Sequence, residues 1–145
     1  MITNTRRIQF AAGHRVMGHE SKCRHLHGHN YVVYVTATAD HLDPLGRVID
    51  FGVLKEKVGG WINERWDHGC ILWKEDHNAF MGLHAFEELE GLTQKVYSLP
   101  TNPTAENIAS FLLTVICPQV LEGLGVQVVR VVVHETENCV AEASL

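Results

Sequence analysis

The order of its patterned segments predicts an α+β fold for this chain. Three observations carry that expectation. Two strand-like runs lie in the N-terminal third, two segments with helical spacing of apolar residues follow, and a valine-rich run with a short partner closes the sequence. Strands that come in two groups, with helices between them, argue for segregated layers and against strict βα alternation.

Thr5–Ala12 reads as the first strand, with Ile8 and Phe10 alternating against Arg7 and Gln9. A polar loop, Gly13–Lys22, leads to a second strand over His27–Ala39, where Tyr31, Val33 and Val35 share a face with His27 and His29. Val32 and Tyr34 occupy the other face, so both faces are expected to be covered. Asp43-Pro44-Leu45-Gly46 is a turn, because proline presets the dihedral and glycine follows easily.

Asp50 is expected to cap a helix through about Trp66. Phe51, Leu54, Val58, Trp61, Ile62 and Arg65 keep helical spacing there, although Gly59-Gly60 weakens it. Asp67 to Pro100 is less regular, with a short helix expected near Phe80–Leu89. Thr104, after Pro103, caps a helix to about Val120 whose apolar face is Ile108, Phe111, Leu112, Val115 and Ile116. Gly123 and Gly125 end that unit. Gln127–His134 is a clear strand, and Cys139–Ala143 is its expected antiparallel partner across the Glu137-Asn138 turn.

Composition sets the frame. A length of 145 residues predicts one domain, residues 1–145, large enough for a core but small for a deep catalytic cleft. The net charge of -5 argues against a nucleic-acid partner. No stretch is long enough to cross a bilayer, and no apolar signal core follows Arg6-Arg7, so no membrane partner is expected and the cytoplasm is the default compartment. Cys23, Cys70, Cys117 and Cys139 are widely spaced, which suggests reduced thiols.

The most informative stretch is Cys23-Arg24-His25-Leu26-His27-Gly28-His29, with His14 upstream. In an extended backbone His27 and His29 project from one face and can present imidazoles to one ion. Three neutral nitrogen donors would leave a position for water or substrate. Cys23 is either a fourth ligand, giving a structural site, or a thiolate base beside the metal, giving an enzyme. His25 shares the alternation and reads as a solvated turn residue or a competing ligand. His19 reads as a loop residue. Asp67-His68 is a carboxylate placed to orient an imidazole for proton transfer. Glu135, at a strand end, is suited to receive paired donor hydrogens from an amino-heterocycle, or to face solvent. Glu106 near a helix N-terminus also suits the helix dipole.

In this order the pieces resemble one family, the 6-pyruvoyltetrahydropterin and 6-carboxytetrahydropterin synthases. The matching residues are Phe10-Ala11-Ala12-Gly13-His14, Cys23-x-x-x-His27-Gly28-His29, Asp50-Phe51, Asp67-His68, Pro103-Thr104-Ala105-Glu106-Asn107 and His134-Glu135-Thr136. The four-residue step from Cys23 to His27 is similar to the bacterial carboxy-forming branch.

The resemblance implies a T-fold: a four-stranded antiparallel sheet with two principal helices on one side. Trimers would close the strands into a barrel, and two trimers would stack into a homohexamer. It implies a zinc cofactor on His14, His27 and His29, with Cys23 as thiolate base and Asp67-His68 as proton relay from a neighbouring chain. Glu135 would anchor the pterin, assisted by Thr104 and Glu106. The implied reaction converts 7,8-dihydroneopterin triphosphate to 6-carboxytetrahydropterin, acetaldehyde and triphosphate, on the route to queuosine. A pyruvoyl-forming synthase or a side-chain aldolase on the same scaffold are the alternatives, and a non-catalytic zinc-binding module is a second. The chain departs from the family in a longer segment between Asp67-His68 and Pro103, containing His77, Phe80, His84 and Glu87-Glu88, either an altered wall of the substrate pocket or, as expected, a surface excursion, and in His25.

Overall fold

Alternation along the first strand decides where everything else packs. In the computed structural model, which describes residues 1–145, β1 (Thr3–His14) buries Ile8, Phe10, Ala12 and His14 on one face and exposes Thr5, Arg7 and Gln9 on the other. β2 (His27–Ala39) returns antiparallel to it, from Thr3 opposite Thr38 to His14 opposite His27. β5 (Val126–His134) pairs with β2, with a register shift at Thr36/Ala37, and β6 (Val140–Ser144) pairs with β5. These four strands form the antiparallel unit that the pattern predicts.

The sheet does not stop there. β3 (Gly69–Trp73) runs parallel to the last three residues of β1, and β4 (Val96–Leu99) runs parallel to β3. The result is a mixed six-stranded sheet in the order β4-β3-β1-β2-β5-β6. The expectation of four antiparallel strands therefore needs correction, as does the irregular reading of Asp67 to Pro100. Ile71 and Leu72 are both fully buried, so β3 is covered on both faces. A short run buried on both sides carries no alternation to betray it.

The first helix is continuous from Phe51–Leu54 through a π-helical turn, Lys55–Gly59, to Gly60–Arg65. The Asp50 side chain caps it by accepting the Gly52 N–H at 2.7 Å. Leu54, Val58 and Ile62 form its buried stripe. The last helix runs Ala105–Phe111, a π-helical turn at Leu112–Ile116, then Cys117–Val120. Pro118 lacks an N–H and would crowd a carbonyl of a regular α-turn; the wider turn just before it relieves that clash. The middle helix, His77–Glu90, is longer than expected and ends at Gly91 with φ 67°. None of its residues is buried.

The two long helices cover one face of the sheet. Their buried residues join Ile8, Phe10, Tyr31, Val33, Val35, Val131 and Val133 in one cluster. Phe10 stacks on Tyr31 at 4.9 Å and meets Trp66 at 5.7 Å. Val32 and Tyr34, on the opposite face, are only half-buried, so in the single chain that face is open and not covered as expected. No helix is long and apolar enough to cross a membrane. Leu112 has no exposure at the centre of the last helix. Leu112→Ala should therefore cost about 2–5 kcal/mol, read from the midpoint of urea unfolding.

Candidate active site

Strand register builds the histidine cluster. His14 and His27 are direct partners across β1 and β2, and His29 lies two residues further along the same face. The ring centroids sit 4.7 Å apart for His14 and His27, 5.1 Å for His14 and His29, and 4.9 Å for His27 and His29. Gly28, between the two β2 histidines, lets the strands close tightly: a Cβ there would stand 3.3 Å from the Ala12 carbonyl oxygen.

The backbone orients two of these rings. His14 Nδ1 lies 2.7 Å from the Pro103 carbonyl oxygen, and His27 Nδ1 lies 2.6 Å from that of His25. A carbonyl only accepts, so each Nδ1 carries the hydrogen, and in the neutral ring each Nε2 is then left as a bare lone pair. Such outer hydrogen bonds are what fix metal-ligating imidazoles. His14 Nε2 and His29 Nε2 are buried and have no hydrogen-bond partner. A buried acceptor left unpaired costs about 1–3 kcal/mol. A cation at this point would satisfy both.

Glu135 completes the group. One donor atom from each of His14, His27, His29 and Glu135 lies within 4.8 Å of all the others. Glu135 Oε1 comes to 3.1 Å from His29 Nε2 without hydrogen-bond alignment. Burial makes His14 and His29 harder to protonate than usual, against the opposing pull of the Glu135 carboxylate. Neutral imidazole is the form that ligates metal. Three nitrogen donors with a carboxylate alongside fit a four-coordinate zinc-type ion.

The other sequence-predicted residues divide. Cys23 is not part of that donor group. It sits half-buried in a short 3-10 turn, Lys22–Arg24, with its carbonyl accepting the Val16 N–H at 2.8 Å. Asp67 and His68 do meet, with Asp67 Oδ2 2.9 Å from His68 Nδ1. Asp67 Oδ1 accepts the Ala11 N–H at 3.0 Å, and the His68 N–H donates to the Ala11 carbonyl at 2.7 Å. Burial pulls the Asp67 carboxyl upward, but the Ala11 N–H and His68 outweigh it and hold the group below its ordinary range. His68 takes φ 59° and leaves its side chain 82% exposed. Within one chain it borders a shallow cleft of about 330 Å³ that His29 also borders.

Thr104 accepts the Asn107 N–H at 3.2 Å as the cap of the last helix, and Glu106 is exposed in its first turn. Neither joins the histidine group; the link from this segment is the Pro103 carbonyl. Glu135 opens a turn tied by its own N–H to the Cys139 carbonyl at 3.0 Å. It flanks a groove of about 540 Å³ with His29, Asn30, Tyr34, His134 and Thr136. His25 is exposed and contributes only its carbonyl, and His19 accepts the Ser21 N–H within its loop. The place of Glu135 beside the imidazoles had no signal in local spacing. It follows from β2 pairing with β5, where Val32 stands opposite His134.

The family model for 6-pyruvoyl tetrahydropterin synthase matches residues 3–144 of the chain. The chain belongs to the 6-pyruvoyl tetrahydropterin synthase family. Within that family it is similar to a protein of Rickettsia bellii (strain RML369-C) named 6-carboxy-5,6,7,8-tetrahydropterin synthase. The two are 46% identical over 143 residues, 98% of this chain and 99% of the relative. A protein of the same name from Aquifex aeolicus (strain VF5) is 33% identical, with 93% of each chain covered. Among solved structures, an uncharacterized protein from Wolinella succinogenes matches with a TM-score of 0.81 at 27% identity, covering 99% of this chain and 97% of its own. The Caenorhabditis elegans 6-pyruvoyl tetrahydropterin synthase shares the fold, with a TM-score of 0.68 at 21% identity over 99% of this chain and 95% of its own. The T-fold of the 6-pyruvoyl tetrahydropterin synthase family is thus the scaffold on which the histidine cluster sits.

The buried imidazoles predict a pH dependence for the metal-free protein. His14 and His29 resist protonation in the folded chain and accept it freely when unfolded. Below about pH 6.5 the unfolded state therefore binds more protons, so stability is full above that pH and falls as the pH drops further. The thermal midpoint of chelator-treated protein should be lower at about pH 5.5 than at about pH 7.5. Equal midpoints would show that the fold accepts these protons at no cost.

Proposed function

We propose that the chain is a zinc-dependent 6-carboxy-5,6,7,8-tetrahydropterin synthase. It converts 7,8-dihydroneopterin triphosphate to 6-carboxytetrahydropterin, acetaldehyde and triphosphate in the cytoplasm, on the route to 7-deazaguanine nucleosides such as queuosine. One observation carries the reading. Three imidazoles converge with two buried, unpartnered Nε2 atoms, on a chain similar end to end to relatives bearing that name.

His14, His27 and His29 would hold the zinc. When bound, the metal supplies Lewis acidity to the substrate side chain. Cys23 acts as the base that removes a side-chain proton, since a thiolate near a cation is available close to neutral pH. Asp67 holds the Nδ1–H of His68, leaving its other nitrogen to accept and return a proton. Glu135 accepts the amino and ring N–H donors of the pterin, assisted by Thr104 and Glu106. Its carboxylate stands close enough to the imidazoles to bring the pterin ring beside the metal centre.

We further infer a homohexamer, a dimer of trimers, in which Asp67 and His68 act on substrate held by a neighbouring chain's zinc. The edge of β1 supports assembly, because β3 pairs only with Ala12, Gly13 and His14, Ala11 is met by Asp67 and His68, and no strand pairs with β1 on that side before Ala11. Unpaired edges of this kind recruit a further strand. The open face with Val32 and Tyr34 points the same way.

Two experiments test the reading. Incubation of the zinc-loaded protein with 7,8-dihydroneopterin triphosphate should give 6-carboxytetrahydropterin and acetaldehyde by mass analysis. A 6-pyruvoyl product would move the chain to the pyruvoyl-forming branch, which the name of its family also allows, and release of the side chain as an aldehyde with the triphosphate retained would make it an aldolase. On the same preparation, Cys23→Ala should keep about one zinc per chain and lose most turnover, whereas a structural four-ligand zinc site would lose metal and stability together.

Shared sites predict complementation. Cys23→Ala and His68→Ala chains, each inactive alone, should regain partial activity when allowed to exchange into mixed oligomers verified by two different tags. Confirmed mixed oligomers with no gain in activity would place Cys23 and His68 of one chain in one site.

A further inference from the structure

The segment between Asp67-His68 and Pro103 has no part in the chemistry proposed above. Packing does not account for its helix either, since His77–Glu90 buries none of its residues. The residue that caps it is the exception. Asp76 is 1% exposed. Its carboxylate receives a fork from Arg15, with Nε donating to Oδ2 at 2.5 Å and Nη2 to Oδ1 at 3.1 Å. It also accepts the Ala79 N–H at 3.3 Å.

Arg15 follows His14 directly and opens the loop that carries Cys23. Its Nη1 donates to the Arg24 carbonyl at 3.4 Å, one residue past Cys23. The next residue, Val16, donates its N–H to the Cys23 carbonyl at 2.8 Å. One guanidinium thus joins both ends of the loop to a buried carboxylate from another segment. A second pin lies at Met17, which exchanges two hydrogen bonds with Asn102 at 3.0 and 2.8 Å. Of these two pins only Arg15 also touches the far side of the loop, through Nη1, where it reinforces the Val16–Cys23 backbone bond. A two-pronged, charge-assisted contact fixes orientation as well as distance.

We propose that Asp76, acting through Arg15, is a positioning residue that holds the Cys23 loop in register with the histidine cluster. Asp76 stands at the start of the excursion after β3, as the cap of its helix. The proposal rests on the reading of Cys23 as the base. A base displaced by about 1 Å loses on the order of a hundredfold in rate, whereas the zinc ligands are placed by the β1–β2 ladder, to which the loop adds only the His25 carbonyl that orients His27.

Two variants isolate the fork. Asp76→Asn keeps the volume and an oxygen for the Ala79 N–H but loses the charged pair. Arg15→Lys keeps the positive charge and loses the fork, and acts from the partly exposed side should the first variant fold poorly. Each should lower kcat by roughly tenfold to a hundredfold, leave KM within about twofold, and keep the zinc content of the parent. Amide exchange should quicken in peptides covering residues 15–26 and stay unchanged in 105–120. The double variant should be no slower than the slower single, because both remove one interaction. Parental kcat per zinc-loaded site in both variants, losses that multiply in the double variant, or losses explained by missing zinc would each overturn the proposal. Cys23→Ala is measured alongside. If it turns over normally, the reading of Cys23 has failed and the positioning role falls with it. If it is inactive while both fork variants work at the parental rate, the positioning role alone is wrong.

Discussion

The pairing of β1 with β2 is the constraint on which the rest of the molecule depends. Placing His14 opposite His27 aligns the imidazoles and, through the same ladder, sets Ile8 against Val33 and Phe10 against Tyr31. Core and cluster therefore share one register. A slip of one residue would turn the histidines to the open face and carry the aromatic pair with them. The tight approach at Gly28 marks the end of the ladder where the strands must come closest.

The cluster is held together against its own electrostatics. Three basic rings about 5 Å apart, beside Tyr31 at 5.5 Å from His29, would repel one another if protonated. Burial disfavours protonation of His14 and His29, and two backbone carbonyls decide which nitrogen of His14 and His27 faces inward. One of those carbonyls belongs to Pro103, far away in sequence, so the start of the last helix is part of the cluster's frame. Burial of this kind stabilises nothing by itself. It leaves the Nε2 atoms of His14 and His29 buried without a partner, a place that a cation would fill.

Much of this was legible in the sequence because the signals were local. His27, Gly28 and His29 alternate within one strand, Asp67 precedes His68, and Thr104 stands before a helical run, so each reading needed only neighbouring residues. The two parallel strands were missed for the opposite reason. Ile71 and Leu72 are buried on both sides by elements distant in sequence, and a continuous apolar run has no period to read. Asp76 was equally silent, since a lone aspartate before a polar helix announces a cap and not a buried ion pair. The approach of Glu135 to His29 depends on how β5 is registered on β2, which no spacing within β5 encodes. The first helix shows a milder case. Gly59-Gly60 looked like a weakness, yet Gly59 falls in a widened turn facing Ile8, where a Cβ would make ordinary contact at 3.8 Å.

His68 sits in the left-handed region at φ 59°, the only residue other than glycine with a positive φ. An L side chain there is strained by roughly 1–2 kcal/mol, and glycine would relieve most of it. The Ala11 carbonyl and the Asp67 carboxylate hold the backbone in that shape regardless of which residue fills it. Stability and the proton-relay role proposed for His68 therefore pull in opposite directions at this position. A search for more robust versions of the protein, blind to chemistry, would discard the imidazole early, and thermal robustness gained here is a poor guide to a working enzyme.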